Sequence, residues 1–206
     1  MSDSPPPNTS ALEELRAAAE LRDPERCQFL LKALFMQMEF YHALAVVVEQ
    51  ARAYLPSFEA AYPDGGFARQ ILMQIVNTGT APARLPPEAL RDFDYPGAAN
   101  YMKALADMAR ALQPGALPGR IGYLVSATAN AIMAVLVEQY YGRRSGAWAI
   151  ARGQPASPAA QQIAYQFWSD DEVALLDTDA WLQVAEAIEA HQKRKENSYE
   201  NRALRG

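Results

Sequence analysis

The chain has 206 residues, half of them hydrophobic and 21% charged, with a net charge of −5 at neutral pH. That length and apolar share support one sizeable core and exclude a wholly disordered chain. The acidic balance excludes a uniformly basic nucleic-acid binder, although it leaves room for a local basic patch.

Alanine is abundant, and runs of Val, Ile and Thr alternating with polar residues are nearly absent, so there is little material for strands. The expected fold class is all-α, a single helical bundle of about six to eight helices with a long central helix pair. Residues 1–9 form a Ser/Pro/Asn lead without periodicity and are expected to be disordered. Ser10 with Glu13 has capping-box spacing at the head of "ALEELRAAAELR". Asp23-Pro24 restarts the chain, with Pro24 at a first helical position where its missing N–H costs nothing.

A helix of roughly 30 residues is then predicted over 24–54. Its apolar positions Leu30, Leu34, Met38, Tyr41, Leu44 and Val48 recur at three and four, and Phe29, Phe35, Phe40, Val46 and Val47 widen the stripe. A helix apolar nearly all round belongs in the middle of a bundle or at a subunit contact. Leu55-Pro56 is expected to break it, and Pro63-Asp64-Gly65-Gly66 supplies turn chemistry before an apolar helix over 67–76. These breakers serve topology.

Residues 77–94 hold three prolines and a glycine and read as an ordered loop, with one helical turn over 87–93. A helix follows over 95–112, and "QPGALPG" ends it. The stretch 121–137 is apolar over about 17 residues, against the roughly 20 needed to cross a bilayer. Ser126, Thr128 and Asn130 lie inside it, so it reads as a central bundle helix, and no membrane is expected. Short helices follow, Ser169 with Glu172 offers a start, and Asp177 or Thr178 caps a last helix carrying Trp181, Val184, Ala185 and Ile188. The helical domain is thus expected over 10–190, with 191–206 as a charged tail, frayed unless bound.

The catalytic inventory is short. One cysteine, Cys27, cannot close an intrachain disulfide, and MSDSPPPNTS lacks the basic start and apolar core of a signal peptide, so a reducing cytoplasm is expected. Cys27 near a helix start has no partnered base and reads as a buried thiol. Glu39 and His42 form Glu-x-x-His, the unit that ferritin-like di-iron bundles use twice, but the second copy is missing. His191 is the only other histidine, and no phosphate-binding loop or nucleophile elbow occurs. Neither a cofactor nor a metal nor an enzyme activity is expected.

One patch mixes cations with aromatics. In "QYYGRRSGAWAIARG", Arg143, Arg144 and Arg152 lie near Tyr140, Tyr141 and Trp148, a mix that pairs phosphate contacts with stacking surfaces. Arg143, Arg144, Arg152, Tyr141 and Trp148 are the candidate RNA-contacting residues. The alternative is a helix end decorated by dipole-favoured cations with its aromatics turned inward. The acidic run "SDDEVALLDTD" complements helix dipoles at two starts.

The order "ARAYLPSFEAAYPDGGFARQILMQIV", "YMKALADMARAL", "YLVSATANAIMAVLVEQYYG" resembles the small α-helical subunit of type III-B CRISPR effector complexes, the Cmr small subunit. The marks that carry the resemblance are Leu55, Pro56, Gly66, Tyr123, Ala127 and Thr128. Phe67 stands where leucine is usual, and some 60 residues follow the last matching helix. The resemblance implies a non-catalytic subunit whose copies stack along an RNA, contacting its backbone without reading sequence. Two other classes remain open from the residues alone: a helical protein-binding scaffold or adaptor without nucleic acid, and a ligand- or metal-binding bundle. The expected partners are other protein subunits or copies of the chain itself.

Overall fold

The computed structural model of the chain describes residues 7–203 except 83, 84, 154 and 156. Among them lie nine α-helices and one 3₁₀ turn, and no strand: α1 (Pro7–Glu20), α2 (Pro24–Gln37), α3 (Phe40–Ala61), α4 (Gly66–Thr78), the turn Pro87–Leu90, α5 (Ala98–Ala111), α6 (Leu117–Gly142), α7 (Ser145–Gly153), α8 (Pro158–Trp168) and α9 (Asp171–Ala203). The all-α bundle is the fold.

The long helix expected over 24–54 is two helices. Met38 and Glu39 are extended, with ψ 158° and 134°, although "QMEF" holds neither Pro nor Gly. The break lets both halves face the same neighbour: Leu30, Leu31, Leu34 and Phe35 of α2 and Ala43, Val46 and Val47 of α3 are all buried, and both helices pack on α6. The guanidinium of Arg120 lies 3.8 Å over the Phe40 ring while its Nε donates to the carbonyl of Ala111, which holds the new start.

Conversely, the break expected at Leu55-Pro56 does not occur, and α3 runs through Pro56 to Ala61. A helix-interior proline costs about 3 kcal/mol. Tyr54, Leu55 and Phe58 flank it and are buried, each worth about 1.5–3 kcal/mol, so continuity wins.

The other boundaries shift too. Helix α1 starts at Pro7, which takes residues 7–9 out of the expected lead and puts Ser10 inside the helix; residues 1–6 lie outside the described residues. Instead of starting at Asp177, α9 starts at Asp171, capped by the Asp170 carboxylate, which accepts from the N–H groups of Glu172 and Val173 at 3.0 and 3.2 Å. It continues as helix to Ala203, through most of the expected frayed tail, and residues 204–206 lie outside the described residues.

Helix α6 is the axis of the bundle and touches α2, α3, α5, α7 and α9. By length and composition it is apolar enough to cross a membrane, but more than half of its most apolar window is buried inside this fold. Its most extensive partner is α5. Where α5 begins, Gly97 at φ +82° sits so close that a Cβ would lie 2.1 Å from the carbonyl oxygen of Ala134 in α6. Only glycine meets both conditions, the left-handed backbone and the missing side chain. Beside it, the Tyr54 hydroxyl of α3 donates to the carbonyl of Pro96.

An aromatic cluster grows from this junction. Phe58 lies 5.1 Å from Tyr62 and Tyr101, 5.4 Å from Phe93 and 5.9 Å from Phe67 by ring centroid. Further along α5, buried Asp107 accepts from Lys103 Nζ at 2.6 Å, Ser126 Oγ at 2.7 Å and Arg110 at 3.3 Å. This polar pin fixes the register of α5 on α6 with every partner hydrogen-bonded.

Three substitutions test the junction. Gly97→Ala is expected to lower stability by about 3 kcal/mol or more, because overpacking against backbone adds to a left-handed penalty; an unchanged denaturant midpoint refutes the close approach. The Tyr101 hydroxyl is buried without a partner, whereas that of Tyr54 has one. Tyr101→Phe should therefore hold or raise the melting temperature, while Tyr54→Phe should lose about 1 kcal/mol.

Candidate functional site

The arginine–aromatic residues come together, and they are used internally. The last turn of α6 brings Tyr140 and Tyr141 to Phe167 of α8, at 5.2 and 5.7 Å, the second pair nearly parallel at 7°. Tyr141 also lies 5.2 Å from Trp148 of α7 and is buried. The Trp148 indole donates to the carbonyl of Asp94 at 2.6 Å. Tyr141 is thus enclosed by rings, while Trp148 is half-buried and held by its indole.

Each arginine has an acid. Arg143 pairs with Glu172 at 3.0 Å, Arg144 with Asp170 at 3.5 Å, and Arg152 with Asp92. Arg144 also lies 4.1 Å over the Tyr140 ring and donates to the carbonyl of Tyr140. Two acids of "SDDEVALLDTD" thus reach back to cations in addition to opening α9. The sequence places these acids some 26 to 29 residues from their arginines, so no local pattern announces the pairs.

The result is a clasp. It fastens the α7–α8 hairpin to the end of α6, to the start of α9 and to the loop 91–97. What the clasp leaves in solvent is the outer face of α8, where Tyr165 is 74% and Trp168 57% exposed. They stand three residues apart, one above the other on the helix. Ile150 of α7 and Leu175 of α9 are also exposed, as are Asp171 and Glu172 beside Trp168. Sequence periodicity marked none of these as special, since Phe167 and Trp168 are equally apolar and only packing decides which turns inward.

The second histidine is not remote. His191 of α9 stacks on His42 of α3 at 5.6 Å and 28°, and its Nε2 lies 3.7 Å from Glu49. Residues 149 positions apart meet because α9 packs on α3, which no spacing rule reveals. Among the described residues, no group of three or more His, Cys, Asp or Glu is arranged to hold a metal ion.

Cys27 is fully buried, and desolvation, with smaller contributions from Asp177 and Asp23, pushes its thiol up to about 12. A thiol so shielded is a packing group and not a nucleophile. Ser126 and Lys103 lie 3.1 Å apart, a dyad distance, but Asp107 accepts from both. The ammonium is held there as a donor, so it is not placed to take the serine proton.

Comparison of the chain with protein-family models, with curated proteins and with solved structures finds no match. What the fold and this region define is a class, a compact all-α bundle carrying a clasped helical hairpin.

Burial raises the Asp177 carboxyl above its ordinary value, the neighbouring Trp181 indole offsetting part of the effect. A raised folded-state value favours the neutral acid: the stability it brings is complete below the ordinary carboxyl range and is lost as pH rises through the folded value. Asp177→Asn should therefore raise the urea midpoint at pH 7 relative to the parent, and the gap should close near pH 3. A gap that persists at low pH refutes the assignment.

Proposed function

We propose that the protein is a non-catalytic helical subunit that works by docking to another protein through the outer face of the α7–α8 hairpin. The observation that supports this reading most is the division of the aromatics: Tyr140, Tyr141, Trp148 and Phe167 are spent on the clasp, while Tyr165 and Trp168 stand in solvent. Large aromatics left exposed side by side are the residues that anchor protein interfaces. Exposed Asp171 beside this face favours a partner surface that is apolar at its centre and carries a cation at its edge, Glu172 being already paired with Arg143.

The RNA-contacting form of this reading, in which copies line an RNA backbone as the Cmr-type resemblance implies, has one observation in its favour. The Arg143–Glu172 pair is exposed on both sides, and surface pairs are worth only about 0–1 kcal/mol, so a phosphate can displace the carboxylate. The cost is that each displaced acid is left beside the RNA.

One set of variants separates the two. Tyr165→Asp with Trp168→Asp should abolish retention of a defined partner or self-association, measured by co-purification and light scattering, with the melting temperature within a few degrees of the parent. Assembly equal to the parent refutes the docking face, and so does recovery on phospholipid vesicles instead of a protein. In the RNA form, Arg143→Glu, Arg144→Glu and Arg152→Glu together flatten the salt dependence of RNA binding by about one per lost phosphate contact. Parent protein that binds no single-stranded RNA at low salt eliminates that form.

A further inference from the structure

The first half of α3 carries a stripe that the bundle leaves partly uncovered. Tyr41, Leu44, Ala45 and Val48 share one face of the helix and look across a trough of about 300 Å³ at Ile75 and Val76 of α4. Leu44, Val48 and Ile75 are buried as its floor, while Tyr41 and Val76 stand exposed at its rim. Gly79, which ends α4 in the left-handed conformation, lies against the tyrosine: a Cβ there would be 2.9 Å from the Tyr41 ring. The same face continues to Glu49 and Arg52, so an apolar channel ends in charge roughly 16 Å from Tyr41 by helical rise.

Arg52 lines the mouth of this trough and, like Arg22, Arg120 and Arg194 among the described residues, has no acidic partner. Arg16, Arg26, Arg69, Arg91, Arg110 and the three clasp arginines all have acidic partners. Arg52 has none, although Glu49 precedes it by three residues, a spacing that permits a pair. The Glu49 carboxylate lies instead 3.7 Å from His191 on α9. An unpaired guanidinium at the mouth of an apolar trough is a ready receptor for a carboxylate, whose two oxygens match its fork.

We propose that the α3–α4 trough binds a small amphipathic anion, in chemical class a medium-chain carboxylate, with its hydrocarbon along Leu44, Val48 and Ile75 and its head group on Arg52. The volume lies at the lower end of small-molecule sites, which suits a single chain better than a fused ring system. Apolar burial supplies attraction without direction, and Arg52 supplies the polarity that sets which end of the ligand lies at the charged mouth.

The test titrates decanoate, decan-1-ol and decyltrimethylammonium, each below its aggregation threshold, into the full-length protein, followed by backbone amide shifts. Decanoate should saturate a single site, with shifts confined to α3 and α4. The alcohol should bind at least tenfold more weakly, and the cation should not saturate. Arg52→Glu alters an exposed side chain and should reduce decanoate affinity at least tenfold while leaving the alcohol unchanged. Ala45→Leu narrows the trough and should weaken both. Equal binding of all three amphiphiles, no saturation by decanoate, or an Arg52→Glu variant that binds decanoate as the parent does overturns the proposal.

Discussion

The contact between Gly97 and the Ala134 carbonyl is the constraint from which much of the molecule follows. Because the chain crosses α6 there with no side chain between, α5 can pack on α6 more extensively than any other two helices pack. The adjacent Pro96 carbonyl then meets the Tyr54 hydroxyl, so α3, α5 and α6 share one junction. The loop that leads into it is fixed in turn: the Tyr62 hydroxyl donates to Asp94 at 2.9 Å and accepts from the Tyr95 N–H at 2.8 Å. That same loop offers the Asp94 carbonyl to Trp148 and the Asp92 carboxylate to Arg152. A steric condition in the core therefore sets where the peripheral hairpin sits.

Helix α6 is apolar nearly all round because neighbours surround it. The cost of so uniform a surface is loss of register, since apolar contact is non-directional and many rotations bury similar area. Asp107 answers this at the α5 face, where three donors converge on one buried carboxylate. Thr128, the other buried polar residue among those described, is satisfied within α6 by donating to the carbonyl of Leu124 at 3.0 Å and adds no direction between helices. Both polar groups are satisfied, so specificity is gained without an orphaned donor or acceptor.

Electrostatics in the periphery follow a different logic. With more acids than bases in the chain, an arginine is readily met by a carboxylate, and eight described arginines, the three of the clasp included, are paired in the fold. The clasp uses three such pairs together with stacked rings. Individually the pairs are weak, yet they orient the hairpin because the aromatics beneath them supply the burial. Arg52 escapes this pattern because the nearest acid on its own helix lies by a histidine on another.

The sequence alone determined the class and the punctuation that is local. Helical periodicity, the scarcity of alternating β-branched residues, Pro24 at a first turn, a helical turn within 87–93, which the fold shortens to the 3₁₀ turn Pro87–Leu90, and the stop after Gly142 are all consequences of intrinsic dihedral and burial preference within a few residues. Tertiary structure decided what depends on partners distant in the chain. It carried α3 through Pro56, where Tyr54, Leu55 and Phe58 enter a common core, and it broke the chain at Met38-Glu39, where no residue forbids helix and where both resulting helices pack on α6. It turned Tyr141 and Trp148 inward and Tyr165 and Trp168 outward, gave each clasp arginine an acid, and brought His191 to His42. Periodicity reports which side chains are apolar along one helix, while the side that faces water is set by the neighbours that helix acquires.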